Sequence, residues 1–282
     1  MSDAILADKI PTNSSLHYSL RKVPLAKRQA VRALFTWFLT LEKLIDSSDL
    51  SIAEKSFTWW QQELELGWQA KHPLNQQLAQ LIAQYQLPQS TFVAILTALQ
   101  DNLTVVSYAD ESAHRRYATS TLARLNHLVA QVLLDLPPSP QEATVLQHIS
   151  YAMHWMRCVA HLHHDGQRGH VYLPSNRLAD YGILPQHLLN PSLTPEGLKL
   201  YLRASLHPLK AQLMQINTLP IFSRRALNPL FVLALLNWQT HQATAKDDFR
   251  VLERKTTPSP LSKLMQSTWD SWRIILGQVR LK

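Results

Sequence analysis

Apolar residues recur every three to four positions along most of this chain, the period of a helix with one buried face. The widest stripe runs from Leu25 to Ser47, where Ala30, Ala33, Leu34, Trp37, Leu41, Leu44 and Ile45 fall on one side. A second amphipathic stretch spans residues 53–70 and carries Trp59, Trp60 and Trp68. Lys71-His72-Pro73 reads as a loop, Leu74–Tyr85 as the next helix, and Leu87-Pro88 as another break. Helices are then predicted over Thr91–Leu103, Thr119–Leu136 and Ala143–His164, with Pro137-Pro138-Ser139-Pro140 as a stiff linker before the last. Three more follow at about residues 195–217, 223–242 and 259–276. The longest apolar run, Pro229–Trp238, is too short to span a bilayer and reads as a buried helix. The pattern predicts an all-α chain whose helices are separated by proline-marked loops.

Composition supports that reading. With 46% hydrophobic and 17% charged residues among 282, the chain can build a substantial core and is not of the disordered class. Six glycines against 16 prolines suit long helices better than a sheet of tight hairpins. Residues 1–13 are polar, lack the apolar centre of a signal peptide and are expected to form a flexible arm. Residues 14–282 are expected to form one domain, with Asn13, Ser14 and Ser15 as alternative caps of its first helix. A single cysteine, Cys158, excludes an internal disulfide or a thiolate zinc cage. Its apolar neighbours mark it as a small buried hydrophobe, and a reducing compartment is inferred. The cytoplasm is the expected location, with a peripheral position on the inner membrane face also open.

The net charge of +8 changes the list of partners. It suits nucleic acid, an anionic membrane surface or a diphosphate. Neither a nucleic-acid motif nor an aromatic-basic ladder is present, so no nucleic-acid partner is expected. Gly-rich phosphate loops, a Ser-His-Asp order and a nucleophile elbow are also absent.

Two segments carry candidate chemistry. In Ala33–Asp46, Glu42 and Asp46 stand four apart on one helical face. In His154–Pro174, His161 and Asp165 do the same, before Gly166 and Gly169 are expected to break the helix and Val171-Tyr172-Leu173-Pro174 closes a turn. The second segment resembles the second signature of the squalene/phytoene synthases. Asp165, Arg168, Gly169, Tyr172, Leu173 and Pro174 match it. His154, Arg157, Ala160 and His161 replace its glutamine, asparagine, arginine and first aspartate. Ala33–Asp46 resembles the first signature, with Leu39 in place of a basic residue and Lys43 between the acids. Ser15 and Pro24 match the family's opening, and the resemblance runs over about residues 14–270.

The resemblance implies an isoprenoid-synthase-like helical bundle around a central apolar cavity. It also implies a site in which paired carboxylates hold Mg²⁺ against the diphosphate of a prenyl substrate. Catalytic positions implied are Glu42, Asp46, His161 and Asp165, with Glu42, Asp46 and Asp165 as metal ligands. Ser15, Arg157, Arg168 and Tyr172 are the implied substrate contacts. NADPH is implied only for a squalene-type reaction.

The departures weaken that site. A glutamate in place of aspartate shifts a carboxylate by one methylene, and a misplacement of about 1 Å costs roughly 100-fold. Imidazole suits zinc, iron or nickel better than magnesium, and Ala160 removes a guanidinium fork. Lys43 is expected to face away. Where the family has small residues that let substrate approach the backbone, Leu125, Leu128 and Val129 are expected to narrow the cavity. Two functions therefore stand open. One is a protein that binds a prenyl diphosphate or another lipid chain, or acts at a membrane surface or on a protein partner, with condensation weakened or lost. The other is an active Mg²⁺-dependent prenyltransferase. A mixed nitrogen–oxygen metal set from His161, His163, His164, Asp165, Glu42 and Asp46 is a third arrangement, although its four neighbouring residues point in several directions.

Overall fold

The computed structural model describes residues 10–47, 49–189, 193–254 and 256–281. They fold as helices throughout: α1 (Ser15–Ser19), α2 (Leu25–Ile45), α3 (Leu50–Glu65), α4 (Pro73–Tyr85), α5 (Gln89–Asp101), α6 (Glu111–Ala118) and α7 (Arg124–Leu134). The chain continues with α8 (Pro140–Gln167), α9 (Ser175–Ala179), α10 (Glu196–Met214), α11 (Ile221–Ala226), α12 (Asn228–Lys246) and α13 (Pro260–Leu276). Among the described residues no strand forms; an isolated parallel bridge joins Ser107 to Val171. No described helix is long and apolar enough to cross a membrane.

Local chemistry sets the boundaries. Ser14 caps α1, its side chain accepting from the His17 amide. His72 caps α4 through Nδ1, which accepts from the Leu74 amide at 3.2 Å, and Pro73 takes the first helical position. Residues 137–140, expected as a linker, supply a start signal instead. Ser139 and Glu142 form a capping box, with the Ser139 amide donating to Glu142 at 2.7 Å, and Pro140 opens α8. α8 also runs further than expected at its other end, to Gln167. Gly166 stays helical, and the turn falls at Gly169, where φ is +83°. The helix expected from Thr119 begins with a π-helical turn over Thr119–Ala123. The helix expected over residues 223–242 is two, α11 and α12, parted at Leu227.

One contiguous core joins residues from α1 to α13. Trp37 and Leu41 of α2, Phe92 and Ile95 of α5, and Phe231 of α12 lie fully inside. Leu125, Leu128 and Val129 of α7 are in that core. They are not part of the wall of the pocket that receives the motif residues. Of the expected arm, Ile10 is buried against the same core and residues 11–13 are exposed, while residues 1–9 lie outside the described residues.

Candidate functional site

α2 and α8 present their motifs to each other across a pocket of about 320 Å³. Leu39, Glu42, Lys43 and Asp46 come from α2, and His154, Arg157, Cys158, His161, His164 and Asp165 from α8. Asn102, Tyr108, Tyr117 and Tyr172 close the remaining wall. A short backbone seam holds the tyrosines in place. Val171 donates its amide to Val106 O at 2.8 Å, and Ser175 donates to Tyr108 O at 2.9 Å. Through that seam the turn after α8 lies along residues 105–109, and the Tyr108 and Tyr172 rings sit 5.8 Å apart. The Tyr108 hydroxyl donates to Asn102 Oδ1 at 2.9 Å.

The carboxylates of the first motif are already engaged. Arg157 binds both oxygens of Glu42 from across the pocket. Arg168, at the end of α8, binds Asp46 and also donates to Ile45 O at 3.1 Å. Two guanidiniums from one motif therefore clamp the two acids of the other. Burial pushes the Glu42 carboxyl up from its ordinary value, and Arg157 opposes that shift. Asp165 is buried and also raised by desolvation, with the neighbouring His164 Nδ1, 3.5 Å from Oδ1, acting the other way. Burial raises Tyr108, Tyr117 and Tyr172 far above the usual phenol range, so all three face the pocket as neutral hydroxyls.

Beside this pocket His114 of α6 meets His154 and Cys158 of α8. Cys158 Sγ is 3.6 Å from His114 Nε2 and 3.5 Å from His154 Nε2. Desolvation lowers His114 to about 4, lowers His154 as well, and raises Cys158 to about 12. Neutral imidazoles and a protonated thiol meet through weak hydrogen bonds, while His114 Nδ1 is buried without a partner. Cys158 is buried, as its apolar neighbours in the sequence suggest.

The residues singled out by sequence mostly come together. Glu42, Asp46, Arg157, His161, Asp165 and Tyr172 line one pocket, and Arg168 reaches it through Asp46. Ser15 does not; it lies on α1 outside that wall, as does Ala160 on α8. Lys43 departs from expectation by lining the pocket, although its side chain is exposed. The mixed nitrogen–oxygen set does not assemble. His163 instead approaches Gln167, with their Nε2 atoms 3.0 Å apart, and lies outside the pocket wall. Among the described residues the group with metal-ligand spacing is His114, His154 and Cys158. Asn102, Tyr108 and Tyr117 carried no sequence signal of a site, because long-range packing alone brings them there.

A magnesium ion would find a poor fit in this donor set. Mg²⁺ takes octahedral oxygen ligands. Here two of the three carboxylates are held by guanidiniums, and the fourth motif position offers an imidazole.

The family model for squalene/phytoene synthase matches residues 11–262, and the chain belongs to that family. The solved structures it resembles share its fold at low identity. A dehydrosqualene synthase in complex with ligand is 14% identical at a TM-score of 0.79, over 97% of this chain and 95% of that one. Squalene synthase HpnC from Alicyclobacillus acidocaldarius is 15% identical at 0.67, over 88% and 93%. YisP from Bacillus subtilis is 12% identical at 0.66, over 95% and 93%. No curated protein matches significantly.

Proposed function

We propose that residues 14–282 act as one domain that binds a prenyl diphosphate or another single lipid chain in the α2–α8 pocket and has lost head-to-head condensation. The observation that carries this reading is the double clamp, Glu42 with Arg157 and Asp46 with Arg168. Three carboxylates around the pocket are matched by Arg157, Arg168 and Lys43, so the site has no surplus negative charge to draw in a divalent cation. Size argues the same way. A volume of about 320 Å³ is at the small end of pockets for a single small molecule, which run from about 300 to 1,000 Å³. Condensation requires two prenyl chains at once.

Binding remains within the site's chemistry. Lys43 brings a cationic side chain to the pocket wall, and the neutral phenols of Tyr108, Tyr117 and Tyr172 add polar groups to it. Leu39, Ile45 and the tyrosine rings give a lipid chain apolar wall.

The competing reading, an active Mg²⁺-dependent prenyltransferase, is favoured by one fact: Glu42, Asp46 and Asp165 still share a pocket. The two separate in one assay. Purified protein is incubated with farnesyl or geranylgeranyl diphosphate and Mg²⁺ or Mn²⁺, with and without NADPH. The expected result is no C30 or C40 product and no released diphosphate, together with saturable binding of the prenyl diphosphate by calorimetry. Turnover that is abolished by Glu42→Ala or Asp165→Ala would overturn the proposal.

A further inference from the structure

Helix α13 is amphipathic in the wrong sense for a helix on a water-soluble surface. Its inner face buries Ser267, Asp270, Ser271 and Ile274. Its outer face carries Leu261, Met265, Trp269, Trp272 and Leu276, each between 58% and 65% exposed. Their spacing of four, four, three and four residues sets all five on one stripe. The helix packs on α12, α11 and α1, and the stripe is what those contacts leave outside. An exposed apolar patch of this kind marks an interaction surface. Tryptophan beside leucine and methionine is the composition of a helix lying in a membrane interface.

The flank of the stripe identifies the partner. Between α1, α12 and α13 lies a cavity of about 450 Å³. Arg21, Lys22, Lys27 and Arg225 line it together with Thr268 and Ile275 of α13, and among the described residues no acidic side chain lines it. Lys27 is committed to Asp135 and to the Leu133 carbonyl. Among the described residues, Arg21, Lys22 and Arg225 have no carboxylate partner. Lys22 Nζ stands 5.7 Å from the centroid of Trp272, which joins the basic cavity to the apolar stripe.

We infer that this face docks the protein on an anionic phospholipid bilayer. Trp269, Trp272 and their apolar neighbours enter the headgroup–acyl boundary, while Arg21, Lys22 and Arg225 take lipid phosphate. The net charge of +8 adds long-range attraction to the same surface. A second copy of the chain is disfavoured as occupant, because two-fold pairing across the stripe brings two basic cavities close together.

The test is co-sedimentation of the full chain with vesicles of phosphatidylcholine alone or phosphatidylcholine mixed with phosphatidylglycerol, read together with tryptophan emission. Binding is expected to the mixed vesicles, with a blue shift, and to weaken as salt rises. Trp269→Gln with Trp272→Gln, and separately Lys22→Glu with Arg225→Glu, should each weaken it by about tenfold or more. All four side chains are at the surface, and an unchanged melting temperature checks that the variants fold. Inorganic phosphate at millimolar concentration should not reproduce the melting-temperature rise seen with mixed vesicles; if it does, a free anion and not a bilayer is the ligand. Failure to bind mixed vesicles, or binding unaffected by both pairs of substitutions, would overturn the inference. So would a dimer in sedimentation velocity that Trp269→Gln dissolves while vesicle binding is absent.

Discussion

Buried histidines set how this protein responds to acid. His114 is 0% exposed and His241 3%. His241 sits among the rings of Trp155, Trp238 and Phe249, and its Nε2 has no hydrogen-bond partner. Desolvation lowers both from 6.5 to about 4. The unfolded chain therefore takes up these protons first. Stability is full above pH 6.5 and is lost as pH falls toward 4, by on the order of 3 kcal/mol per histidine. Glu42 and Asp165, raised by burial, act in the opposite sense once pH nears the carboxylate range. Urea midpoints should stay flat from pH 8 to 7 and then drop, and His241→Phe should remove part of the drop, with His114 and His154 carrying the rest. An acid profile identical in that variant would show that His241 carries no such penalty. At this scale the sequence showed the motif residues and hid their state. Glu42 and Asp46 are legible as a helical pair, and Arg157 as a replaced asparagine. That Arg157 and Arg168 turn onto those acids depends on two helices meeting more than a hundred residues apart in the chain.

Elements were the most legible level, because periodicity and proline placement act locally. Their ends were less so. Ser139-Pro140 reads equally as linker or as cap, and only the return bond from Glu142 decides it. Gly166 reads as a helix breaker, yet it is a close-packing residue. A Cβ there would stand 2.4 Å from the Leu188 carbonyl oxygen. The short turn Pro185–Leu188 thus presses directly on the last turn of α8, beside Asp165. Gly166→Ala should cost about 1–3 kcal/mol, the range for overpacking a close contact. It should also disturb the pairing of Arg168, two residues on, with Asp46. A urea midpoint within error of the parent would mean the turn yields freely and does not anchor the end of α8.

For the molecule as a whole, the scaffold of a diphosphate-binding family encloses a site whose charges cancel internally. If cancellation is what keeps a divalent cation out, two changes on α8 should restore its pull. Arg157→Asn frees Glu42, and His161→Asp places a carboxylate four residues before Asp165 on the same helical face. Together they shift the charge at the pocket by about two units. At the effective dielectric of a partly solvated protein site, each unit charge at about 4–6 Å exerts an interaction of a few kcal/mol before desolvation is subtracted. A surviving fraction of only 1.4 kcal/mol already means a tenfold change in affinity. Titration calorimetry with Mn²⁺ should therefore show a gain of at least about tenfold in the double variant over the parent. Arg157→Asn alone should give an intermediate value, because Lys43 and Arg168 remain. Equal affinity in all three proteins would place the obstacle in the geometry of Glu42, whose longer side chain sets its oxygens differently from an aspartate, and not in the balance of charge.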